Sequence, residues 1–251
     1  MDYACIADFY DTFVQVAFDI PFFVTEAKKT SGEVLELMSG TGRVSVPLVE
    51  AGTKLTCVDK SPEMLAVLRD KLVQRGLRAD VVPMDVCDLD LSKRFDLVLI
   101  PFNSFAEIVS LDDQRKALTR IHRHLAPGGR FICTLHNPTT RMQAVDGTLQ
   151  LRGKFALGRE RATLLFWLLQ NYDPADHHII EGVELFEEYD AQGILKSKRL
   201  LELRFRLTGK EDFQALAQST GLEVLALYGD YSYSEFHEDT SPFMIWVLRH
   251  V

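Results

Sequence analysis

Apolar and polar positions follow two different rhythms along this chain, and the change of rhythm near residue 137 divides it. From about residue 33 to 136, short apolar runs bounded by turn residues alternate with stretches of helical periodicity, the pattern of a parallel sheet covered by helices. Val34 to Met38 reads as the first strand, Arg43 to Ala51 as a helix that ends at Gly52, and Leu55 to Val58 as the second strand. Ser61-Pro62 opens the next helix, because a Ser side chain can accept from a free N–H of the first turn while Pro presets φ; Gly76 closes it. Val81 to Met84 is the third strand and "RFDLVLIPF" the fourth, apolar on both faces as a buried parallel strand must be. Ser110 to Asp113 has the form of a capping box for a helix reaching His124, and a "PGG" turn then leads to the fifth strand, "RFICTLH".

Beyond His136 the apolar runs lengthen and become β-prone. "ATLLFWLLQNY", "HHIIEGVELFEEYD" and "ILKSKRLLELRFRL" predict an antiparallel β insertion over residues 139–207, with "DAQG" as a hairpin connection. Thr208 with Glu211 predicts a second capped helix running through Ser219 to Gly221, followed by strands "LEVLALYG" and "FMIWVLRHV". The expected organisation is an N-terminal helical cap (1–32), a Rossmann-like core (33–138 and 208–251) and an inserted lid (139–207).

At 251 residues, 47% of them hydrophobic, the chain can bury one substantial core. A net charge of −8 lacks the clustered Lys and Arg that nucleic acid or an anionic membrane selects, so a small-molecule partner is expected. No leader pattern and no membrane-length apolar run is present, which predicts a cytoplasmic protein; the four cysteines are scattered without metal-ligand spacing, and no metal is expected. His177-His178 adds no metal site, since neighbours in a strand point to opposite faces.

The chemistry concentrates at "LMSGTGR". Gly40 and Gly42 lie between the first strand and first helix, where missing Cβ atoms let a ligand touch the backbone and a helix N-terminus offers free N–H groups. Ser45 stands where GxGxxG has its third glycine, which disfavours a dinucleotide pyrophosphate. Asp59 ends the second strand, seventeen positions after Gly42, where a carboxylate can hold both ribose hydroxyls. Asp85 ends the third strand, where it can accept from an adenine amino group while the N–H of Val86 reaches a ring nitrogen. Two acids beside a glycine turn describe a cleft for a nucleoside.

In order and spacing, "LELMSGTGR", "VDKSPEML", "PMDVCDLDL", "FDLVLIPFNSF" and "HLAPGGRFICTLHNP" resemble the motifs of class I S-adenosylmethionine-dependent methyltransferases over roughly residues 5 to 137. The insertion resembles the lid of small-molecule members such as sugar-amine and glycine-type N-methyltransferases. The resemblance implies a seven-stranded, mostly parallel doubly wound sheet with an antiparallel last strand, and S-adenosylmethionine as cofactor. It also implies roles. Glu36 orients the glycine turn, Gly40 and Gly42 carry the methionine half, and Asp59 with its neighbour Lys60 holds the ribose side. Met64 covers an adenine face, Asp85 and Val86 bind its edge, and the Pro101 carbonyl, with Asn103 nearby, accepts from the cofactor's ammonium group. Met38 stands where the family usually has glycine, which would set the backbone there farther from the cofactor. Tyr10-Asp11 resembles an opening segment that folds over the cofactor.

Methyl transfer is an in-line displacement that needs an aligned lone pair and a dry site; a hydroxyl acceptor needs a base, a neutral amine does not. Candidate bases are His136 first, then Glu107 and Tyr10, with Asn103 as a further polar group. Their alternatives are a turn cap for His136, a solvated helix position for Glu107 and local backbone bonding for Asn103. Arg141, Arg152, Arg159 and Arg161 could bind an anion or face solvent, and Tyr231, Tyr233 and Glu235 could line the acceptor pocket or order a hairpin loop. The aromatic start (Phe9, Tyr10, Phe13, Phe18, Phe22, Phe23) has the spacing of a helix that covers the sheet or gates the site. The function expected is methyl transfer to nitrogen or oxygen of a small metabolite, with a homodimer as an assembly open to the chain. An NAD(P)-dependent oxidoreductase and a non-catalytic nucleoside-binding scaffold are the alternatives.

Overall fold

A computed structural model of the protein describes residues 1–158 and 162–250. Short helices α1 (Tyr10–Phe13) and α2 (Ile20–Lys28) precede the alternating region of β1 (Val34–Leu37), α3 (Ser45–Glu50), β2 (Leu55–Asp59), α4 (Pro62–Gln74), β3 (Asp80–Pro83), β4 (Phe95–Ile100), α5 (Leu111–His124) and β5 (Leu125–His136). Helix α6 (Pro138–Met142) leads into β6 (Gln150–Leu157), β7 (Ala162–Tyr172), β8 (Ile179–Tyr189) and β9 (Leu195–Arg206), after which α7 (Lys210–Ser219), β10 (Leu222–Tyr228) and β11 (Phe243–His250) complete the chain.

Seven strands form the central sheet in the order β10-β11-β5-β4-β1-β2-β3, with β1 to β5 parallel and β11 antiparallel to both its neighbours. Strands β6 to β9 form a separate antiparallel sheet in chain order. β1 is buried along its whole length, which explains why its sequence is apolar rather than alternating. The helix starts follow local chemistry: Ser61 accepts from the Met64 amide at 3.2 Å and Ser110 from the Asp113 amide at 3.4 Å. Parallel strands β1, β2, β4 and β5 present their carboxyl ends at one rim, where a doubly wound sheet binds its ligand.

Several sequence expectations are corrected here. The "PGG" segment is a bulge inside β5: the register jumps from Leu125 opposite Phe95 to Arg130 opposite Leu97, so the strand begins directly at the end of α5. The insertion has four strands rather than three, because β6 is a largely exposed edge strand without a long apolar run. Helix α7 is capped at Gly209 with no side-chain bond, and the Thr208 hydroxyl is buried without a partner among the described residues. His177 and His178 lie in the turn before β8, not within the strand.

The aromatic start does not form one cap over the sheet. Phe9 and Phe13 pack on Phe166 and Phe186 of the smaller sheet, with ring centroids 4.8–5.2 Å apart. Phe22 and Phe23 belong to the core of the large sheet instead, and Phe18 is 61% exposed. The N-terminal segment therefore staples the lid to the core. Ile180, Leu203 and Phe205 of the lid share a continuous core with β1, β4 and β5.

Candidate active site

The glycine turn is held in an unusual backbone state. Met38, Gly40 and Gly42 have φ of 56°, 54° and 83°, in the left-handed region. A Cβ on Gly42 would lie 2.2 Å from Leu68 Cδ1, whereas one on Gly40 would meet only the Met64 methyl at 3.4 Å, leaving its other side open to a ligand. Met38 adopts the left-handed conformation a glycine would favour, at a cost of roughly 1–2 kcal/mol. Its side chain packs against the main core.

Two carboxyl groups hold this turn. The Gly40 and Ser61 amides donate to Asp59 Oδ2 and Oδ1, both at 2.8 Å, so one side chain ties the glycine turn to the entrance of α4. Each oxygen keeps a second lone pair for a ligand hydroxyl. Burial raises the Asp59 pKa against the pull of those amides. Beneath the turn, Ser45 Oγ donates to Glu36 Oε2 at 2.6 Å; the residue that breaks the dinucleotide motif serves as the partner of a buried acid. Burial pushes the Glu36 pKa up to about 8.

At the neighbouring strand ends, exposed Asp85 accepts from the Cys87 amide at 2.8 Å at the start of a 3-10 turn, with Val86 buried beside it. Lys60 is exposed, and Met64 on α4 is buried against the glycine turn. After β4, Phe102 and Asn103 take consecutive left-handed conformations, with φ of 59° and 61°. The Pro101 carbonyl accepts from Ser104 at 3.3 Å. Asn103 Oδ1 is buried with no hydrogen-bond partner among the described residues, an orphaned acceptor at the strand end that suits an ammonium or hydroxyl donor. The bare Gly40 backbone, the spare lone pairs of Asp59 and this oxygen together fit S-adenosylmethionine.

The N-terminal segment closes over this rim through contacts the sequence did not reveal. Thr41 Oγ1 donates to Asp11 at 2.7 Å, and Lys71 pairs with Asp11 at 2.5 Å while donating to the Thr41 carbonyl at 2.8 Å. Arg43 grips Asp19 with two bonds of 2.6 and 2.7 Å, donates to the Val16 carbonyl at 2.9 Å, and stacks 4.4 Å from the Phe102 ring centre. A bidentate guanidinium thus links the start of the chain, the glycine turn and the loop after β4.

A second cluster lies between that loop and the lid. Glu107 accepts from Tyr3 Oη at 2.8 Å, so it is an enclosed partner rather than a solvated helix residue. Burial raises its pKa. Tyr10 sits 5.9 Å from Tyr3 and 5.4 Å from Phe13 by ring centres, and burial together with Glu107 and Glu184 raises its pKa. Glu184 on β8 completes the group: burial, then the charge of Glu107, pushes its pKa up to about 7. Sequence reasoning passed over Glu184. Its signal was an acid in step with Ile180, Gly182 and Phe186 on one face of an alternating strand.

His136, the first-choice base, is differently placed. Its ring packs 5.5 Å from Phe205, and burial with the nearby Arg141 charge lowers its pKa to about 3. Such an imidazole stays neutral and is a weak proton acceptor at pH 7. The turn cap expected of it is supplied by Asn137, which accepts from Thr139 at 3.2 Å. Tyr231 and Tyr233 pack on α2, with Tyr233 donating to Glu26 at 2.8 Å, and Glu235 pairs with Tyr228, so these residues order the hairpin instead of joining the Glu107 cluster. Arg152 is exposed, Arg141 is half-buried, and Arg159 and Arg161 lie outside the described residues.

The chain is similar to known methyltransferases in sequence and in fold. Residues 34–129 match the family model described as "Methyltransferase domain". Glycine/sarcosine N-methyltransferase of Halorhodospira halochloris is 26% identical over 224 residues, covering 88% of this chain and 76% of that protein. A solved S-adenosylmethionine-dependent methyltransferase of Clostridium acetobutylicum superposes with a TM-score of 0.81 at 19% identity, covering 99% of this chain and 98% of the other. A sugar N-methyltransferase of Streptoalloteichus does so at 0.76 and 21% identity, covering 96% and 91%. Residues 34–129 thus match a methyltransferase domain, and the chain as a whole has the fold of an S-adenosylmethionine-dependent methyltransferase.

Proposed function

We propose that the protein methylates the nitrogen of a small-molecule amine, with the Glu107–Glu184 pair receiving the acceptor's ammonium group and taking its proton. S-adenosylmethionine supplies an electrophilic methyl group on a sulfonium. Around it the chain's own residues bind and orient: the Gly40 and Gly42 backbone carries the methionine half, Asp59 the ribose, Asp85 and Val86 the adenine edge, Met64 an adenine face, and Asn103 with the Pro101 carbonyl the ammonium group. Lys60 lies at the outer edge of the ribose side. The staple formed by Asp11, Arg43 and the aromatic start keeps water out.

The supporting observation is the pair of acids with raised pKa beside two phenols. A carboxyl poised near pH 7 is matched to deprotonating an amine, whereas an alcohol acceptor would need a stronger base than His136 provides. Tyr3 and Tyr10 stay protonated and act as donors. The division into N-terminal cap, core and lid is part of this proposal, as is action in the cytoplasm, without nucleic acid or membrane, with a homodimer as an assembly open to the chain. No helix among the described residues is long and apolar enough to cross a membrane.

The test is a screen of amines and matched alcohols, read by S-adenosylhomocysteine release between pH 5.5 and 9, with Glu184→Gln alongside. Turnover of amines should rise through about pH 7 in the wild type, and Glu184→Gln should remove that limb. Methylation of the alcohols alone would refute the amine assignment.

A further inference from the structure

Two loops meet at the carboxyl ends of β1 and β4, which are neighbours in the sheet. The first is the glycine turn, which ends at Arg43; the second starts at Pro101 and carries Phe102 and Asn103 with φ of 59° and 61°. Asn enters the left-handed region readily, because its short amide can bond nearby, but a bulky residue such as Phe is an outlier there. A strained residue of this kind persists only where its surroundings over-determine it. Asn103 also opens the 3-10 helix Ser104–Glu107 without making a side-chain bond to it, which leaves its amide oxygen buried and unpaired among the described residues.

Arg43 supplies the constraint on Phe102. The edge of its guanidinium is committed to Asp19, which is 1% exposed, and to the Val16 carbonyl, and these bonds fix the plane of the group. The face of that plane is left for a ring, and its centre lies 4.4 Å from the centre of Phe102. Clasping the N-terminal segment needs Asp19 alone. Stacking on the strained residue that precedes Asn103 connects the clasp to the cofactor side.

We infer that Arg43 and Phe102 are positioning residues for the amino-acid end of the cofactor: the guanidinium, anchored on Asp19, holds Phe102 in its left-handed conformation and thereby aims the Asn103 amide oxygen at the cofactor's ammonium group. This rests on the assignment of Asn103 made above. Such coupling is reciprocal, because whatever the held turn contributes to binding the ammonium is returned to the groups that hold it. An occupied ammonium site therefore tightens the segment around Asp19.

The experiment compares, by calorimetry, S-adenosylhomocysteine with its deaminated analogue, in which hydrogen replaces the ammonium group. Both are titrated into the wild type, Arg43→Lys, Phe102→Leu, Asn103→Ala and the double variant of the last two. Leu keeps an apolar side chain on the same Cβ and removes the ring face that the guanidinium covers. The wild type should prefer S-adenosylhomocysteine by about 30-fold, the scale of one hydrogen bond to a charged group. Arg43→Lys and Phe102→Leu should each cut that preference by about fivefold or more while affinity for the analogue moves by less than about threefold, and Asn103→Ala should abolish it, with Phe102→Leu adding nothing further. In amide exchange, S-adenosylhomocysteine should slow residues 16–28 more than the analogue does in the wild type, and equally with it in Phe102→Leu. Equal losses for both ligands in Arg43→Lys and Phe102→Leu would reduce the stack to a structural clasp and overturn the positioning role, leaving Asn103 in place if its own variant still loses the preference. No preference in the wild type, or one unchanged in Asn103→Ala, refutes the Asn103 assignment and the positioning role with it.

Discussion

Replacing Asp59 separates binding from folding. In the folded protein its two oxygens accept from Gly40 and Ser61, each at 2.8 Å, and the assigned ligand adds two ribose hydroxyls to the same carboxylate. Hydrogen bonds to a charged group contribute about 1.5–3 kcal/mol each, so Asp59→Ala should weaken S-adenosylhomocysteine binding by about 3–5 kcal/mol, roughly 10²- to 10³-fold or more. Ligand-free stability should change less. The raised Asp59 pKa shows that burial of its charge outweighs the two amide bonds, so removing the group relieves a desolvation cost as it strands the amides. Titration calorimetry with S-adenosylhomocysteine and with its 2′-deoxy analogue gives a double cycle: deoxygenation should weaken the wild type but be nearly neutral in Asp59→Ala. An affinity loss below about tenfold, or a deoxy penalty of the same size in both proteins, would refute the ribose assignment.

Two further outcomes test the supports of the site. Glu36 has a folded pKa of about 8 against an ordinary 4.5, so the folded state holds its proton longer than the unfolded chain does. Stability from this group is therefore full at acidic pH and falls as pH rises from about 4.5 to about 8, by on the order of 4 kcal/mol. Glu36→Gln, which retains an acceptor for Ser45, should flatten urea-midpoint profiles across that window, and parallel profiles would contradict the buried-acid assignment. Arg43→Lys keeps the charge but loses the bidentate grip on Asp19, which is 1% exposed, and the stacking on Phe102. A loss of about 2 kcal/mol is expected, near 5 °C in Tm, with faster amide exchange confined first to the N-terminal segment and glycine turn. Uniform acceleration across the core would count against the clasp.

The legible features are those encoded by neighbours in the chain. Ser61-Pro62, Ser110 with Asp113, Gly52 and Gly76 announce helix ends because capping is a contact within one turn, and the apolar runs of β1 and β4 announce burial on both faces. Thr208 with Glu211 shows the limit of such signals: the pattern is present, yet the cap falls on Gly209. The residues proposed for the cofactor side were also legible as a group, since Gly40, Gly42, Asp59 and Asp85 all stand at or just beyond the ends of successive strands, where backbone geometry rather than packing fixes their direction.

The proposed acceptor side was readable only in part: Glu107 and Tyr10 stood among the candidate bases, but their grouping with Glu184 and Tyr3 did not show, because these residues come from three distant segments. Glu107 follows β4, Glu184 lies on β8, and Tyr3 and Tyr10 come from the start of the chain; the folded staple of Phe9 and Phe13 on Phe166 and Phe186 brings them into one cluster. His136 shows the converse: its place at a strand end suggested a base, but burial beside Phe205 and Arg141 makes the imidazole a poor proton acceptor. By itself the sequence determined the alternation of strands and helices, the glycine turn and its two acids, which short-range sterics and hydrogen bonding dictate. Tertiary structure alone decided which acids are desolvated enough to exchange protons near neutrality, because desolvation depends on every surface packed around a group and not on its neighbours in the chain.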